Sequence, residues 1–147
     1  MNIEIFKATP ETCYKISLLI PEFSDQQYDL QEFTGRVKNK QHIALVALCD
    51  GIYAGFKIGY EAGPRGVFYS WMGGVIPFFR KFGIARALAT EQENQLKELG
   101  FNRVTFKTRN YLKPMLIFAL KNGFDIVEVE VKENSFENRI YLEKRLI

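Results

Sequence analysis

Histidine, cysteine and long apolar runs are scarce in this 147-residue sequence, and each shortage removes a class of protein. The single histidine, His42, stands just before a strand-like run. The two cysteines, Cys13 and Cys49, lie in separate apolar contexts with neither a CxxC pair nor a Cys/His spacing. That excludes a metal centre and a disulfide scaffold as readings of the pattern, and leaves the cysteines as small core hydrophobes in a reducing compartment. No apolar run approaches the ~18 residues of a membrane span. Met1-Asn2-Ile3-Glu4-Ile5-Phe6 lacks the basic and apolar regions of a secretion signal, so a cytoplasmic protein with no membrane partner is expected. Repeats, low-complexity tracts and linkers are missing too, which leaves one domain over residues 1–147. The net charge of +3 comes without a basic stripe interleaved with aromatics. Nucleic acid is therefore not an expected partner, whereas a small anionic ligand is suited.

What is present is apolar and aromatic: thirteen Phe and seven Tyr supply ample area to bury in one core. Alternation predicts a strand over residues 3–7. Thr9-Pro10-Glu11 reads as the cap and first turn of a helix that Pro21 stops. A polar and aromatic loop over 22–28 and a short helix over 30–38 follow. Residues 43–49 and 52–60 read as strands joined at Asp50-Gly51, a hairpin signal. After the turn Gly63-Pro64-Arg65-Gly66 comes a strand over 67–76, in which Gly73-Gly74 suggests a bulge or a close approach. Residues 84–99 carry a helical apolar face closed by Gly100. A strand over 103–107 leads to a helix over 110–122, apolar all round and so expected to be buried on most sides. Strands over 124–131 and 138–145 form a closing antiparallel pair. The expected fold class is α/β: a single mixed β-sheet flanked by helices.

The chemistry-bearing segment is Val75-Ile76-Pro77-Phe78-Phe79-Arg80-Lys81-Phe82-Gly83-Ile84-Ala85. A strand ends there and a helix begins. The first helical turn has backbone N–H groups with no intrahelical partner and the positive end of the macrodipole, which makes it an anion site. Gly83 lets a phosphate approach the backbone, and Arg80 and Lys81 add attraction for a polyanion.

Val75-x-Pro77-x-x-Arg80-x-x-Gly83-x-Ala85, set between a strand and an amphipathic helix, resembles the coenzyme A-binding signature of the GNAT N-acetyltransferase superfamily. Downstream, Asn110, an apolar helix and Gly123-Phe124 resemble the family's second coenzyme-binding segment. The specific resemblance spans residues 67–124. It implies a sheet splayed between the strands at 67–76 and 103–107, with Gly73-Gly74 as the local bulge. It also implies that the backbone N–H groups of Lys81, Phe82, Gly83, Ile84 and Ala85 hold the pyrophosphate of acetyl-CoA (acetyl-coenzyme A). The strand around Val75 would pair with the pantetheine arm. Asn110 would contact the pantetheine or phosphates, or else serve as a plain helix cap.

The implied reaction is direct transfer of an acetyl group from acetyl-CoA to a primary amine of a small molecule or peptide. The backbone N–H near Val75 or Ile76 would polarise the thioester carbonyl. The family's usual proton donor is a Tyr four residues before the Gly of Gly-Phe, and that position here is Ala119. Tyr111 is the expected substitute and Glu61 the expected general base. Tyr111 also reads as a packing aromatic, and Glu61 as a solvated turn carboxylate. Tyr60 and Tyr69 stand further down the order, and Tyr14, Tyr28 and Trp71 would shape the acceptor pocket. The missing Tyr motivates a second expectation, a catalytically silent acyl-CoA-binding sensor or partner module. A third is an unrelated phosphate-binding α/β domain. A monomer and a homodimer both stay open.

Overall fold

The computed structural model describes residues 1–23 and 28–146. In chain order its elements are β1 (Ile3–Lys7), α1 (Pro10–Ser17), α2 (Leu30–Val37), β2 (His42–Cys49), β3 (Ile52–Glu61) and β4 (Val67–Val75). Then follow α3 (Ile84–Glu98), β5 (Arg103–Arg109), α4 (Lys113–Lys121), β6 (Asp125–Glu130) and β7 (Arg139–Arg145). Among the described residues the strands form one sheet ordered β1-β2-β3-β4-β5-β7-β6. All neighbours are antiparallel except β4 and β5. This is the mixed sheet flanked by helices that the element pattern predicts. Residues 24–27 of the expected loop lie outside the described residues, and a 3-10 turn at Pro21–Phe23 precedes them.

Local chemistry sets the element ends. Thr9 Oγ1 accepts from the Thr12 amide at 3.2 Å, with Pro10 opening α1. Asp29 caps α2 by accepting from the Glu32 amide at 2.9 Å. Asp50 and Gly51 both take positive φ, 50° and 80°, as a two-residue primed turn requires. At the far end of α3 the Phe101 amide donates to the Leu96 carbonyl around left-handed Gly100, closing a Schellman motif.

Two large cores lie on opposite faces of the sheet, and a third, smaller one lies under α4. Ile43, Leu45 and Ala47 of β2 pack with Ile84, Leu88 and Leu96 of α3. Their neighbours Ala44 and Val46 pack on the opposite face with Cys13 and Ile16 of α1 and Phe33 of α2. Burial on both faces explains why β2 is a continuous apolar run rather than an alternating one. Cys13 sits in this core, where burial pushes its thiol up to about 12 and makes it inert.

Three expectations are corrected. First, α4 begins at Lys113 rather than Asn110, because Pro114 has no N–H to donate to the Asn110 carbonyl. Second, α4 is not buried on most sides. Leu116 and Ala119 face Ile140 and Leu142 of β7, while Met115, Ile117 and Leu120 are exposed, since only one side of the helix meets the sheet. Third, the bulge is not at Gly73-Gly74. Register runs Ile58↔Met72 and then Tyr60↔Tyr69, so β4 gains one residue opposite Gly59. A Cβ on Gly59 would stand 2.4 Å from the Tyr69 carbonyl, so only glycine lets β4 crowd against β3 there. A Cβ on Gly74 would meet Ile20 at 2.9 Å, so Gly74 makes room for the segment that follows α1 instead.

Candidate functional site

The bulge bends β4 away from β5. Their parallel pairing comprises Val67↔Arg103, Phe68↔Val104 and Tyr69↔Thr105 and then stops, although β4 runs on to Val75 and β5 to Arg109. A gap opens from Tyr69 onward. Along its β4 lip the Ile76 N–H donates to the Ala54 carbonyl of β3 at 2.7 Å. In an antiparallel ladder the polar groups of alternate residues turn away from the partner. The N–H groups of Gly73 and Val75 therefore point into the gap. The Ile76 N–H is spoken for, which corrects the expectation that it could serve as carbonyl donor; the Val75 N–H is the one available.

At the open end of this lip the chain turns into α3. Gly83 is its N-cap, left-handed at φ 84°, and Lys81 is also left-handed at φ 69°. Two left-handed residues around Phe82 turn successive N–H groups toward one side, the geometry of an anion nest. A non-glycine residue held in this region costs about 1–3 kcal/mol, so the strain at Lys81 marks a conformation imposed by the loop. Among the described residues, no backbone carbonyl or side chain accepts from the amides of Lys81 to Arg86. Space above Gly83 is open, Lys81, Phe82, Gly83 and Ala85 are exposed, and the first turn of α3 holds no acid. These residues fit a diphosphate: donors, dipole and access coincide.

Arg80 behaves differently from the sequence expectation of a free cation. Its two terminal nitrogens donate to Glu22 at 2.8 and 2.7 Å, and its Nε donates to the Val75 carbonyl at 3.0 Å. The guanidinium thus ties the loop to the end of β4 and to the 3-10 turn after α1. Nothing in the sequence signals this partner, 58 residues away.

The other candidates are dispersed. Asn110 is not a helix cap: its Nδ2 donates to the Ser135 carbonyl at 3.1 Å and its Oδ1 accepts from Lys113 at 2.8 Å. Tyr111 is exposed past the end of β5, its amide donating to the Phe136 carbonyl at 2.9 Å. Glu61 pairs with Phe68 at the closed end, on the sheet face opposite Tyr60 and Tyr69, and lines a shallow depression beside the β3–β4 turn. Ala119 is on the buried face of α4, against Ile140 and Leu142 of β7. Glu61 is not brought to the gap, and Tyr111 stands beyond its open end, past Arg109.

What the fold does gather at the gap is aromatic. Tyr69, the last paired residue of β4, meets Tyr60 edge-on at 5.6 Å. Burial, then the neighbouring Tyr60, pushes the Tyr69 phenol up to about 12, so it stays protonated and can donate. Trp71 packs against Phe33 at 4.9 Å and Tyr28 at 5.2 Å. Arg36 of α2 lies over Trp71 at 4.4 Å and donates to the Tyr60 hydroxyl at 3.0 Å. From the other lip Lys107 of β5 reaches over the Tyr69 ring at 5.3 Å. One sequence signal for this lip was readable: Arg103, Thr105, Lys107 and Arg109 alternate, so β5 presents a polar, cationic face.

The forked sheet thus carries an anion nest at one end of the fork and an aromatic floor at the other. The acetyltransferase (GNAT) family model matches residues 10–124, and the chain belongs to that family. Its fold is similar to that of the ribosomal-protein-S18-alanine N-acetyltransferase from Escherichia coli, at 14% identity over 99% of this chain and 94% of that one, with a TM-score of 0.82. It is also similar to PaiA N-acetyltransferase from Thermoplasma acidophilum, solved in complex with coenzyme A, at 17% identity, 99% coverage of both chains and a TM-score of 0.77. Ard1 from Thermoplasma volcanium matches at 19% identity over 100% of this chain and 99% of that one, with a TM-score of 0.79. No curated protein matches the chain. Among the described residues no helix is long and apolar enough to cross a membrane.

Proposed function

We propose that this acetyltransferase moves the acetyl group of acetyl-CoA directly to a primary amine of a small molecule or peptide. The observation that carries this is the unpaired row of amides from Lys81 to Ala85, which opens beside a gap lined by free strand-edge N–H groups. Bound acetyl-CoA supplies an activated thioester. Lys81, Phe82, Gly83, Ile84 and Ala85 would hold its diphosphate by backbone N–H donation, with the α3 dipole adding attraction. Val75 would pair with a pantetheine amide as a strand edge does. The Gly73 N–H, further along the same edge from the diphosphate, is the nearest donor for the thioester oxygen, the kind of preorganised dipole that stabilises developing charge. Arg80 would act by holding the loop, through Val75 and Glu22, rather than by touching phosphate. Asn110 would fix the turn facing the β5 side of the gap.

For the proton steps, Tyr69 is the hydroxyl at the opening, and as a protonated phenol it would donate a hydrogen bond to the departing thiolate. Glu61 lies at the closed end of the fork, on the face opposite Tyr69, and Tyr111 lies past the end of β5, so neither stands beside Tyr69 where the amine would react. A second reading is favoured by one observation: Ala119 replaces the family's usual hydroxyl and is buried in the small core under α4. On that reading the chain binds acetyl-CoA as a silent sensor or partner module.

A thermal shift with acetyl-CoA against free adenine nucleotides tests the binding step. A ligand confined to the folded state adds ~2.7 kcal/mol at a hundredfold excess over its Kd. Thiol release across an amine panel then separates the two readings. Stabilisation without thiol release from any amine would leave the sensor. No stabilisation at millimolar acetyl-CoA would overturn both.

A further inference from the structure

The sheet face that holds Tyr60 and Tyr69 is covered by α1 and α2 over its first strands only. Over β5 and β7 the same face is bare and charged. Lys107 is exposed there, and its Nζ stands 5.3 Å from the Tyr69 ring and 5.9 Å from the Tyr141 ring. Arg139 follows on the same face, two residues before Tyr141 in β7, since Lys107 pairs with Tyr141 and Arg109 with Arg139. Arg36 closes the third side through Tyr60 and Trp71.

Among the described residues, the acids on this face leave two cations without an ion-pair contact. Arg36 has Glu32 at 2.8 Å. On β6, Glu128 stands opposite Tyr141 and Glu130 opposite Arg139, whose charge it feels, while its hydrogen bonds go to Lys132 and the Tyr141 hydroxyl, the latter at 3.2 Å. Among the described residues Lys107 and Arg139 form no ion pair. Lys107 is held below the usual lysine range by desolvation, then by Arg139 and Arg36, with Glu130 opposing weakly. Like charges gathered around one aromatic floor repel unless an anion joins them. A bare ammonium ion would meet three cations at this spot, which disfavours a di- or polyamine acceptor.

We infer that the acceptor amine carries its own acid group, a carboxylate or phosphate a few bonds from the nitrogen. Lys107 and Arg139 would bind that group, and the Tyr69–Trp71 floor would pack the body of the molecule. This rests on the acetyl-transfer reading, because it takes the gap at Tyr69 as the place where amine and thioester meet. Lys107 and Arg139 are thus specificity residues for the acceptor, with no part in holding coenzyme A.

Trp71 is the only tryptophan in the sequence and lies under Arg36, so intrinsic fluorescence reports on this floor. Protein saturated with coenzyme A would be titrated with matched pairs: β-alanine against propylamine, lysine against cadaverine, phosphoethanolamine against ethanolamine. The acid-bearing member of at least one pair should bind about tenfold or more tightly than its partner, an effect that weakens with salt. Lys107→Gln with Arg139→Gln should erase the preference, and Lys107→Glu should shift it toward cadaverine. Which pair responds distinguishes a carboxylate from a phosphate. Equal binding within every pair, tighter binding of the plain amines, or no saturable change with any acid-bearing member at millimolar concentration would overturn the inference. Coenzyme A stabilisation measured on the same samples separates the failures: its loss defeats the acetyl-transfer reading, and its presence with an indifferent Trp71 defeats this inference alone.

Discussion

Arg80 and Glu22 meet through two parallel hydrogen bonds of 2.8 and 2.7 Å, and the Nε of the same guanidinium holds the Val75 carbonyl at 3.0 Å. One side chain therefore fastens three segments: the turn after α1, the end of β4 and the loop before α3. The pair keeps the Glu22 carboxyl below its usual range, chiefly through the Arg80 hydrogen bond.

If Arg80 acts by fastening, Glu22→Gln and Arg80→Gln should weaken acetyl-CoA binding to a similar, modest degree, and the double variant should be little worse than either. The pair is exposed, so each change should cost ~0.2–1 kcal/mol of stability. Because the native state depresses the Glu22 pKa, the stabilisation is present above the ordinary carboxylate pKa and is lost as pH falls through the lowered one. Calorimetric titration of the four proteins checks this. A loss in Arg80→Gln far beyond that in Glu22→Gln would instead place the guanidinium on the phosphates.

Gly83→Glu should abolish acetyl-CoA binding while leaving far-UV circular dichroism unchanged, since nothing packs against that position and the new carboxylate meets the diphosphate site. Gly83→Ala should weaken binding less, because φ 84° costs an L-residue about 1–2 kcal/mol without filling the nest. Thermal shift of both variants measures the order.

Tyr69→Phe should lower kcat by about tenfold, a small part of the 10²–10⁴ typical of a positioned proton donor, because a thiolate leaves without full protonation. Glu61→Gln and Tyr111→Phe should leave kcat within about twofold, as expected for groups off the reaction path. A large kcat loss in either would return it to the chemistry and require a rearranged gap.

Lys57 gives a pH signature on the other side of the sheet. Burial holds its ammonium down to about 8, partly offset by Glu93. Its unfolded value is ~10.4, so between the two the unfolded chain binds more protons and stability rises with pH. Below the lower value the penalty is fully present. Lys57→Met should therefore be more stable than the parent at neutral pH, with the difference shrinking as pH climbs through that window. Urea unfolding at a series of pH values would show it, and a constant difference would contradict it.

The fold was largely legible because its signals are local. Thr9-Pro10, Asp50-Gly51 and Gly100 fix ends by backbone chemistry, and the double-sided burial of β2 writes itself as an unbroken apolar run. The nest at Gly83 was legible for the same reason. The tertiary partners were not. Glu22 lies in a segment whose composition says nothing of Arg80. The bulge was misplaced because its glycine, Gly59, is on the strand opposite the extra residue. Glycines at 73 and 74 were the visible clue, yet Gly74 serves the packing of Ile20. The burial of α4 was overread because an apolar helix states what it tolerates, while its neighbours decide what is covered.

The short parallel seam has a mechanical consequence. β1 to β4 form one continuous ladder, and β5, β7 and β6 form another, with seven residue pairs between β5 and β7 alone. Between the ladders stand three pairs, a Thr105 hydroxyl donating to the Phe68 carbonyl, Lys107 over the Tyr69 ring, the core under α3 and the Glu93–Lys144 ion pair. A molecule lying along the gap would lengthen that seam and act as a stitch between two stiff plates. Its arrival should appear in hydrogen exchange as slowed opening of amides on both lips, including β5 residues that it never touches.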